Sequence, residues 1–143
     1  MLNKAGRQES LMIYLRNKRG VAAVELAICL PSLLLLLFGL IEFGLLFYNR
    51  QVITNASREG VRAGIVAESV DADIIQIVEN YCAGKLINLN GANELQAGSV
   101  TVSAPDAQND RTVRVIYDYN FLFAGIFGFN QTTLSAQTIM RME

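Results

Sequence analysis

The chain has 143 residues, 52% hydrophobic and 17% charged, with a formal net charge of −1 and no histidine. The missing imidazole excludes histidine-based catalysis and histidine metal ligation, and without a basic patch interleaved with aromatics or a phosphate-cradling Gly loop the sequence points to no nucleic acid partner and no cofactor. Near-neutrality hides an asymmetry: residues 1–20 carry Lys4, Arg7, Arg16, Lys18 and Arg19 against Glu9, a net +4, whereas the remaining 123 residues hold seven Lys/Arg and twelve Asp/Glu, a net −5.

The basic stretch 1–20 reads as a leader. It ends at Lys18-Arg19-Gly20 and is followed by Val21-Ala22-Ala23-Val24-Glu25, then by sixteen residues, Leu26 to Ile41, without a charge. A bilayer span needs about 20 mostly apolar residues, so Val21 to Tyr48 is long enough to cross one. The excess of Lys and Arg on the N-terminal side predicts that the leader stays in the cytoplasm and the rest is exported in a single pass through a membrane. Glu25 and Glu42 interrupt the apolar stretch. A carboxylate in hydrocarbon costs about 2.5–3.5 kcal/mol on insertion scales unless it is protonated, paired or interfacial, so both are functional suspects. Glu42 sits near the far boundary and reads equally well as interfacial; its role stays open. Glu25 lies in fixed register with Gly20, which is the layout of a prepilin cleavage site.

Two other exported arrangements fit less well. A cleavable secretory signal needs a shorter apolar core and a small-x-small cut site behind it, and Ile41-Glu42-Phe43-Gly44-Leu45-Leu46-Phe47-Tyr48 offers none. A lipoprotein signal at Leu26-Ala27-Ile28-Cys29 has bulky Ile28 where a small residue belongs, and the apolar run continues past the cysteine.

Beyond the span, Val52, Ala56, Gly60, Ala63 and Ala67 recur at steps of three and four, with Arg50, Arg58, Glu59 and Arg62 elsewhere, which predicts continuation of the same helix. Gly60 and Gly64 form a small-xxx-small face, suited either to packing on the chain's own globular domain or to a subunit contact. One helix from Val21 to Val66 is roughly 70 Å long at 1.5 Å per residue. Pro31 is a candidate kink, because its ring clashes with the preceding turn and it donates no amide hydrogen.

The exported domain follows. Asp71 is placed to cap a second helix with an apolar stripe of Ile74, Ile77, Val78 and Tyr81, ending near Ala83-Gly84. Residues 88–98, rich in Asn and Gly, read as a loop. Val100 and Val102 alternate with Thr101 and Ser103; Pro105 to Asp110 forms a polar turn; Val113, Val115, Tyr117, Tyr119 and Phe121 alternate with more polar neighbours. A last strand from about Leu134 to Met142 puts Leu134, Ala136, Thr138 and Met140 on one face. The expected fold is α+β: a long N-terminal membrane-spanning helix as a pilin-like stalk (21–67), bearing a small head (68–143) of one helix and about three antiparallel strands. So few head residues hold a modest core, and the head is expected to lean on its stalk.

Other features have bland readings. Cys29 and Cys82 read as apolar fillers, too far apart in a single-span arrangement to bridge each other. Asp71 and Asp73 lack the surrounding oxygen-rich loop of a calcium site, so no metal is expected. Residues 121–129, Phe-Leu-Phe-Ala-Gly-Ile-Phe-Gly-Phe, hold four Phe between two strands; core or an edge hairpin covered by the stalk is the favoured reading, and a docking surface for another pilus subunit the alternative.

The stretch RGVAAVELAICLPSLLLLLFGLIEFG, then ASREGVRAG and the terminal TIMRME, resembles the TadE-like proteins, minor pseudopilins of the tight-adherence (Tad/Flp) branch of type IV pilus systems. The resemblance extends over the chain after Arg19 and is strongest from Gly20 to Gly64. It is carried by the Gly before the cut, the Glu five residues on, the Pro within the apolar run, the Ile-Glu-x-Gly pair and the small residues ending in Gly-x-Arg-Ala. Leu26 follows the Glu where the family often has an aromatic, and a TadF-like protein is the alternative subtype.

The resemblance implies that a prepilin peptidase cuts between Gly20 and Val21, that this chain is substrate rather than enzyme, and that Glu25 meets the freed ammonium of a neighbouring subunit during assembly. Implied partners are that peptidase, other pilins and pseudopilins (TadF-like and major pilin), an inner-membrane assembly platform and membrane lipid; implied roles are pilus biogenesis, adhesion and surface colonisation. Two other classes remain: an uncleaved single-span protein displaying a binding module, which would keep its leader and not need Glu25, and an exported enzyme, which lacks any nucleophile constellation.

Overall fold

In a computed structural model the structure describes residues 4–66, 70–107, 109–123, 125, 128 and 130–141, and for residues 4–19 and Val66 the backbone alone. The elements, in chain order, are α1 (Lys4–Val66), α2 (Asp71–Cys82), β1 (Val100–Ser103), β2 (Asp110–Asn120) and β3 (Gln131–Arg141). The chain divides into two units, Met1–Gly39 and Leu40–Glu143.

The first unit is helical wherever it is described, and its helix begins earlier than the sequence reading, which started it at Val21. Residues 4–19 hold no proline and mostly good helix formers, and one glycine at position 20 costs only about 1 kcal/mol, so nothing stops the helix from Lys4 onward. It also continues through Pro31. Near it the Ser32 hydroxyl donates to the Cys29 carbonyl at 2.8 Å, a local bond that Ser forms readily inside apolar helices. Gly20–Ile65 contains a window with mean hydropathy of 2.5, long and apolar enough to cross a membrane, and none of that window is buried within the protein. This matches the expected N-terminal apolar helix.

In the second unit, the C-terminal part of α1 packs against α2 and one face of a three-stranded sheet. The buried positions of α1 are Glu42, Asn49, Val52, Ile53, Ala56, Ser57, Gly60, Val61 and Gly64. Their steps of three and four keep one side of the helix inward. The predicted stripe is correct at Val52, Ala56 and Gly60, but its centre is rotated toward Ile53 and Val61, both fully buried, while Ala63 is only partly buried. Ala67, the last member of that stripe, lies outside the described residues.

α2 buries Ile74, Val78 and Cys82, exact i, i+4 repeats, with Ile75 and Tyr81 packed partly against the core; Ile77, expected on the stripe, is half-buried. Asp71 is not its cap. Val70 occupies that position with extended backbone, and its carbonyl accepts from the Asp73 amide at 2.9 Å. Asp71 is the first helical residue, where a carboxylate is favoured by the helix dipole, and its side chain is taken by Arg111.

The sheet is antiparallel throughout, in the order β1-β2-β3. Val100 opposes Val115 and Val102 opposes Val113; on the other side of β2, Val115 opposes Ala136 and Tyr117 opposes Leu134. The period-two reading therefore put these residues inward, but Met140, expected on the same face as Leu134 and Ala136, is 41% exposed near the end of its strand. The last strand starts at Gln131, three residues before the expected Leu134, because the polar run Gln131-Thr132-Thr133 pairs fully with Tyr119 to Asn120 and Asp118. Phe121 falls just beyond β2 and packs edge-on against Tyr119, ring centroids 5.5 Å apart. The turn between β2 and its predecessor closes through Asp106, whose carboxylate accepts from the Asp110 amide at 2.9 Å, with Asn109 at φ 63°. Asparagine tolerates that left-handed conformation better than most residues.

Candidate functional site

Gly20, Val21 and Glu25 fall within one helical stretch. Nothing lies within 4 Å of where a Gly20 Cβ would stand, and Val21 is 53% exposed. Val21 and Glu25 are four residues apart, so they share one face of α1. Glu25 is exposed, and among the described residues no hydrogen bond or ion pair holds its carboxylate. The arrangement is a carboxylate one turn from a small-residue junction, in an apolar stretch that the protein itself does not cover.

Gly60 and Gly64 are placed differently. A Cβ on Gly60 would stand 2.5 Å from Val78 Cγ2 and 3.4 Å from both Ile74 Cγ2 and Val113 Cγ1; one on Gly64 would stand 2.8 Å from Ile74 Cδ1 and 3.3 Å from Arg111 Cδ. Both glycines thus let α2 and β2 of the same unit approach α1 closely.

Three polar residues organise the second unit in ways the sequence reading did not assign. Arg111 is 7% exposed; its guanidinium donates to the Gly64 carbonyl at 3.2 Å and to the Asp71 carboxylate, joining the C-terminal turns of α1 to the start of α2. Its signal was the alternation itself, since position 111 is in phase with Val113 and Val115. Asn49 is fully buried and brackets Ile87, donating to its carbonyl at 2.6 Å and accepting from its amide at 2.9 Å. The long loop after α2 is thereby fastened to α1, and the Tyr117 hydroxyl donates to Ala92 further along it at 2.7 Å. Gly91 lets the loop pass close to two side chains there, since a Cβ would stand against Asn120 Nδ2 and 2.7 Å from Asn88 Nδ2, which would have to shift.

Glu42 is the third. It is 6% exposed, and its carboxylate accepts from the Leu122 amide at 2.5 Å and the Phe123 amide at 3.1 Å. It is therefore no loose interfacial charge but a clasp for the segment after β2. In that segment Phe121 packs on the core, Phe123 is half-buried and Leu122 is 41% exposed. Ala124, Ile126, Phe127 and Phe129 lie outside the described residues. The nearby Glu42 charge adds to burial in raising the Tyr119 phenol above its ordinary range; Tyr117 is raised too, by burial.

Both cysteines are free thiols, Cys29 exposed and Cys82 buried. Burial pushes the Cys82 thiol up to about 11, with Lys85 pulling weakly the other way. Among the described residues no group of His, Cys, Asp or Glu is arranged to hold a metal ion.

The second unit is thus a packed scaffold, while Gly20, Val21 and Glu25 lie exposed along the first half of α1. Residues 20–62 match the family TadE-like protein. The TadE-like segment opens at the junction glycine and takes in Glu25, Pro31, Glu42 and Gly60; it stops before Gly64, and α2 and the sheet lie outside it. No match was found among curated proteins or among solved structures. Over those residues the chain is similar to TadE-like proteins, and its apolar helix is compatible with a single-pass membrane protein.

Proposed function

We propose that this protein is a minor pseudopilin, a structural and assembly subunit of a tight-adherence pilus, processed between Gly20 and Val21. The observation that carries the reading is the TadE-like segment, which begins at Gly20 and holds at Glu25 an exposed carboxylate with no hydrogen bond or ion pair among the described residues. Domain limits of 1–20 for a cytoplasmic leader, 21–67 for the spanning and stalk helix and 68–143 for the exported head belong to this proposal.

The chemistry follows from the residues. A membrane-embedded prepilin peptidase needs an accessible backbone, and α1 is helical through the junction, so cutting requires local unwinding. Glycine lowers that cost by about 1 kcal/mol relative to alanine and leaves the carbonyl unscreened. Lys18 and Arg19 hold the junction at the anionic cytoplasmic surface. Cleavage leaves an ammonium on Val21 and exposes Glu25 in the first turns of the new helix. An unpaired carboxylate at that depth is costly, and the ammonium of a neighbouring subunit relieves it. The partners are then the peptidase, neighbouring pilins and pseudopilins, the assembly platform and lipid, with the C-terminal head exported from the inner membrane in support of adhesion and surface colonisation.

The deciding experiment is the mature N-terminus, read by intact mass from native membranes with and without the resident prepilin peptidase. A peptidase-dependent start at Val21 is expected. A chain that keeps its leader in both strains favours the second reading, an uncleaved single-span display protein, to which the unbroken helix across Gly20 lends support.

A further inference from the structure

We infer that Phe121–Phe123, directly after β2, form an interfacial foot, a surface of the head that rests in the lipid headgroup and upper acyl region. The inference rests on the membrane-spanning reading of α1. Glu42 follows directly on the uncharged run Leu26–Ile41 and lies near the far boundary of the apolar stretch Val21–Tyr48. The bonds from the Leu122 and Phe123 amides hold the segment beside it. Around the clasp the second unit leaves apolar groups uncovered: Leu40 at 67%, Phe43 at 63% and Leu122 at 41% exposed.

Two physical conditions for entering the interface are met. Irregular backbone is tolerated near hydrocarbon only where its amides are satisfied by protein, and the Glu42 carboxylate supplies two such acceptors. Apolar and aromatic side chains gain from the headgroup boundary, and Phe121, Leu122 and Phe123 carry no charge. Continuity with the apolar run selects lipid as the occupant. A second copy of the chain or another pilus subunit covering the same patch is the alternative that the experiment separates.

The chain has no tryptophan, so a single introduced indole reports cleanly. The full chain is reconstituted in phosphatidylcholine and phosphatidylglycerol vesicles carrying bromine at a shallow or a deep acyl position, with one reporter at a time: Leu122→Trp, Ile139→Trp on the exposed sheet face, or Leu34→Trp within the run. The expected result is that the reporter at 122 shifts to shorter wavelength and loses emission more to shallow than to deep bromine. The reporter at 139 is unaffected, and the one at 34 is quenched most by deep bromine. Adding Glu42→Ala to Leu122→Trp lowers the shallow quenching. If the reporter at 34 is quenched and the one at 122 is not, the foot is overturned while the span stands; a blue-shifted but unquenched reporter at 122 overturns it in favour of a protein partner. An unquenched reporter at 34 overturns the span itself. Phe123→Trp repeats the test should Leu122→Trp fail to fold.

Discussion

Replacing Gly60 with alanine tests whether the glycine face belongs to the chain's own domain. The added Cβ would stand 2.5 Å from Val78 Cγ2. Ordinary carbon contacts lie at about 3.5–4.0 Å, so something must move by about 1 Å. Val78 is fully buried and β-branched, with a χ1 that is nearly fixed in a helix, so it cannot swing away. Overpacking of this kind costs about 1–3 kcal/mol, against a gain of about 1 kcal/mol for replacing a helical glycine. Gly44→Ala is the matched control, for it makes the same backbone change with nothing within 4 Å. The two variants should differ by about 1–3 kcal/mol, which for a domain near 100 residues is roughly 5–20 °C in Tm. The assay is thermal unfolding of the full chain in detergent, followed by the near-UV ellipticity of buried Tyr117 and Tyr119. Val78→Ala removes the colliding methyl, so the double variant with Gly60→Ala should lose less than the sum of the singles. A Gly60→Ala protein as stable as Gly44→Ala would refute the packing argument, and if it also failed to assemble, the face would belong to another subunit.

Gly20→Val should block processing, because a branched side chain both stiffens the helix and crowds the junction; an unshifted mature mass ratio in that variant would count against the site. Arg111→Leu leaves the Gly64 carbonyl unpaired while Asp71, about half exposed, can rehydrate, so a loss of about 1–3 kcal/mol is expected in the same melts, and wild-type stability would show the clasp to be idle. The Cys82 thiol has a folded pKa raised to about 11 from 9.0, so the folded state holds its proton more tightly. Its contribution is complete below about pH 9 and is lost as pH rises toward 11, with Tyr117 and Tyr119 acting in the same direction. Stability should therefore be flat from pH 6 to 8 and fall above 9, and a flat profile to pH 11 would contradict the burial of these groups.

The sheet was legible because period two survives in β2 and β3: Val113, Val115, Tyr117, Tyr119, Leu134 and Ala136 all point where alternation places them. The α1 stripe was legible only in part, since small residues such as Ala63 fit either side of a helix boundary while Ile53 and Val61 carry the burial. What the sequence did not reveal is long-range. Asp71 has the right type for a cap, yet the choice between capping its own helix and taking Arg111, forty residues away, depends on where β2 lies. Asn49 and Glu42 were illegible for the same reason: their partners, Ile87, Leu122 and Phe123, are backbone groups brought near only by the fold. The register of Gly20 and Glu25, by contrast, is a local property that the sequence carries by itself.

Glu25 and Glu42 pose the sharpest test of how environment assigns roles to one residue type. Both interrupt an apolar helix, where an unsatisfied carboxylate costs about 2.5–3.5 kcal/mol. Glu42 meets that cost within its own head, through two backbone amides, and so is not free to serve a neighbour. Glu25 has no such bond among the described residues, so any compensation must come from water, protonation or another subunit. Their alanine variants should therefore separate. Glu42→Ala leaves two loop amides without their acceptor, costing about 1–3 kcal/mol per unsatisfied group to the extent that water cannot replace it, and should lower the Tm of the isolated full chain. Glu25→Ala should leave both that Tm and the Gly20–Val21 cut unchanged while reducing pilus formation. Measuring Tm in detergent, mature mass in membranes and surface pili on the same two variants reads all three at once. Normal piliation with Glu25→Ala would remove the assembly role, and an unchanged Tm with Glu42→Ala would remove the clasp.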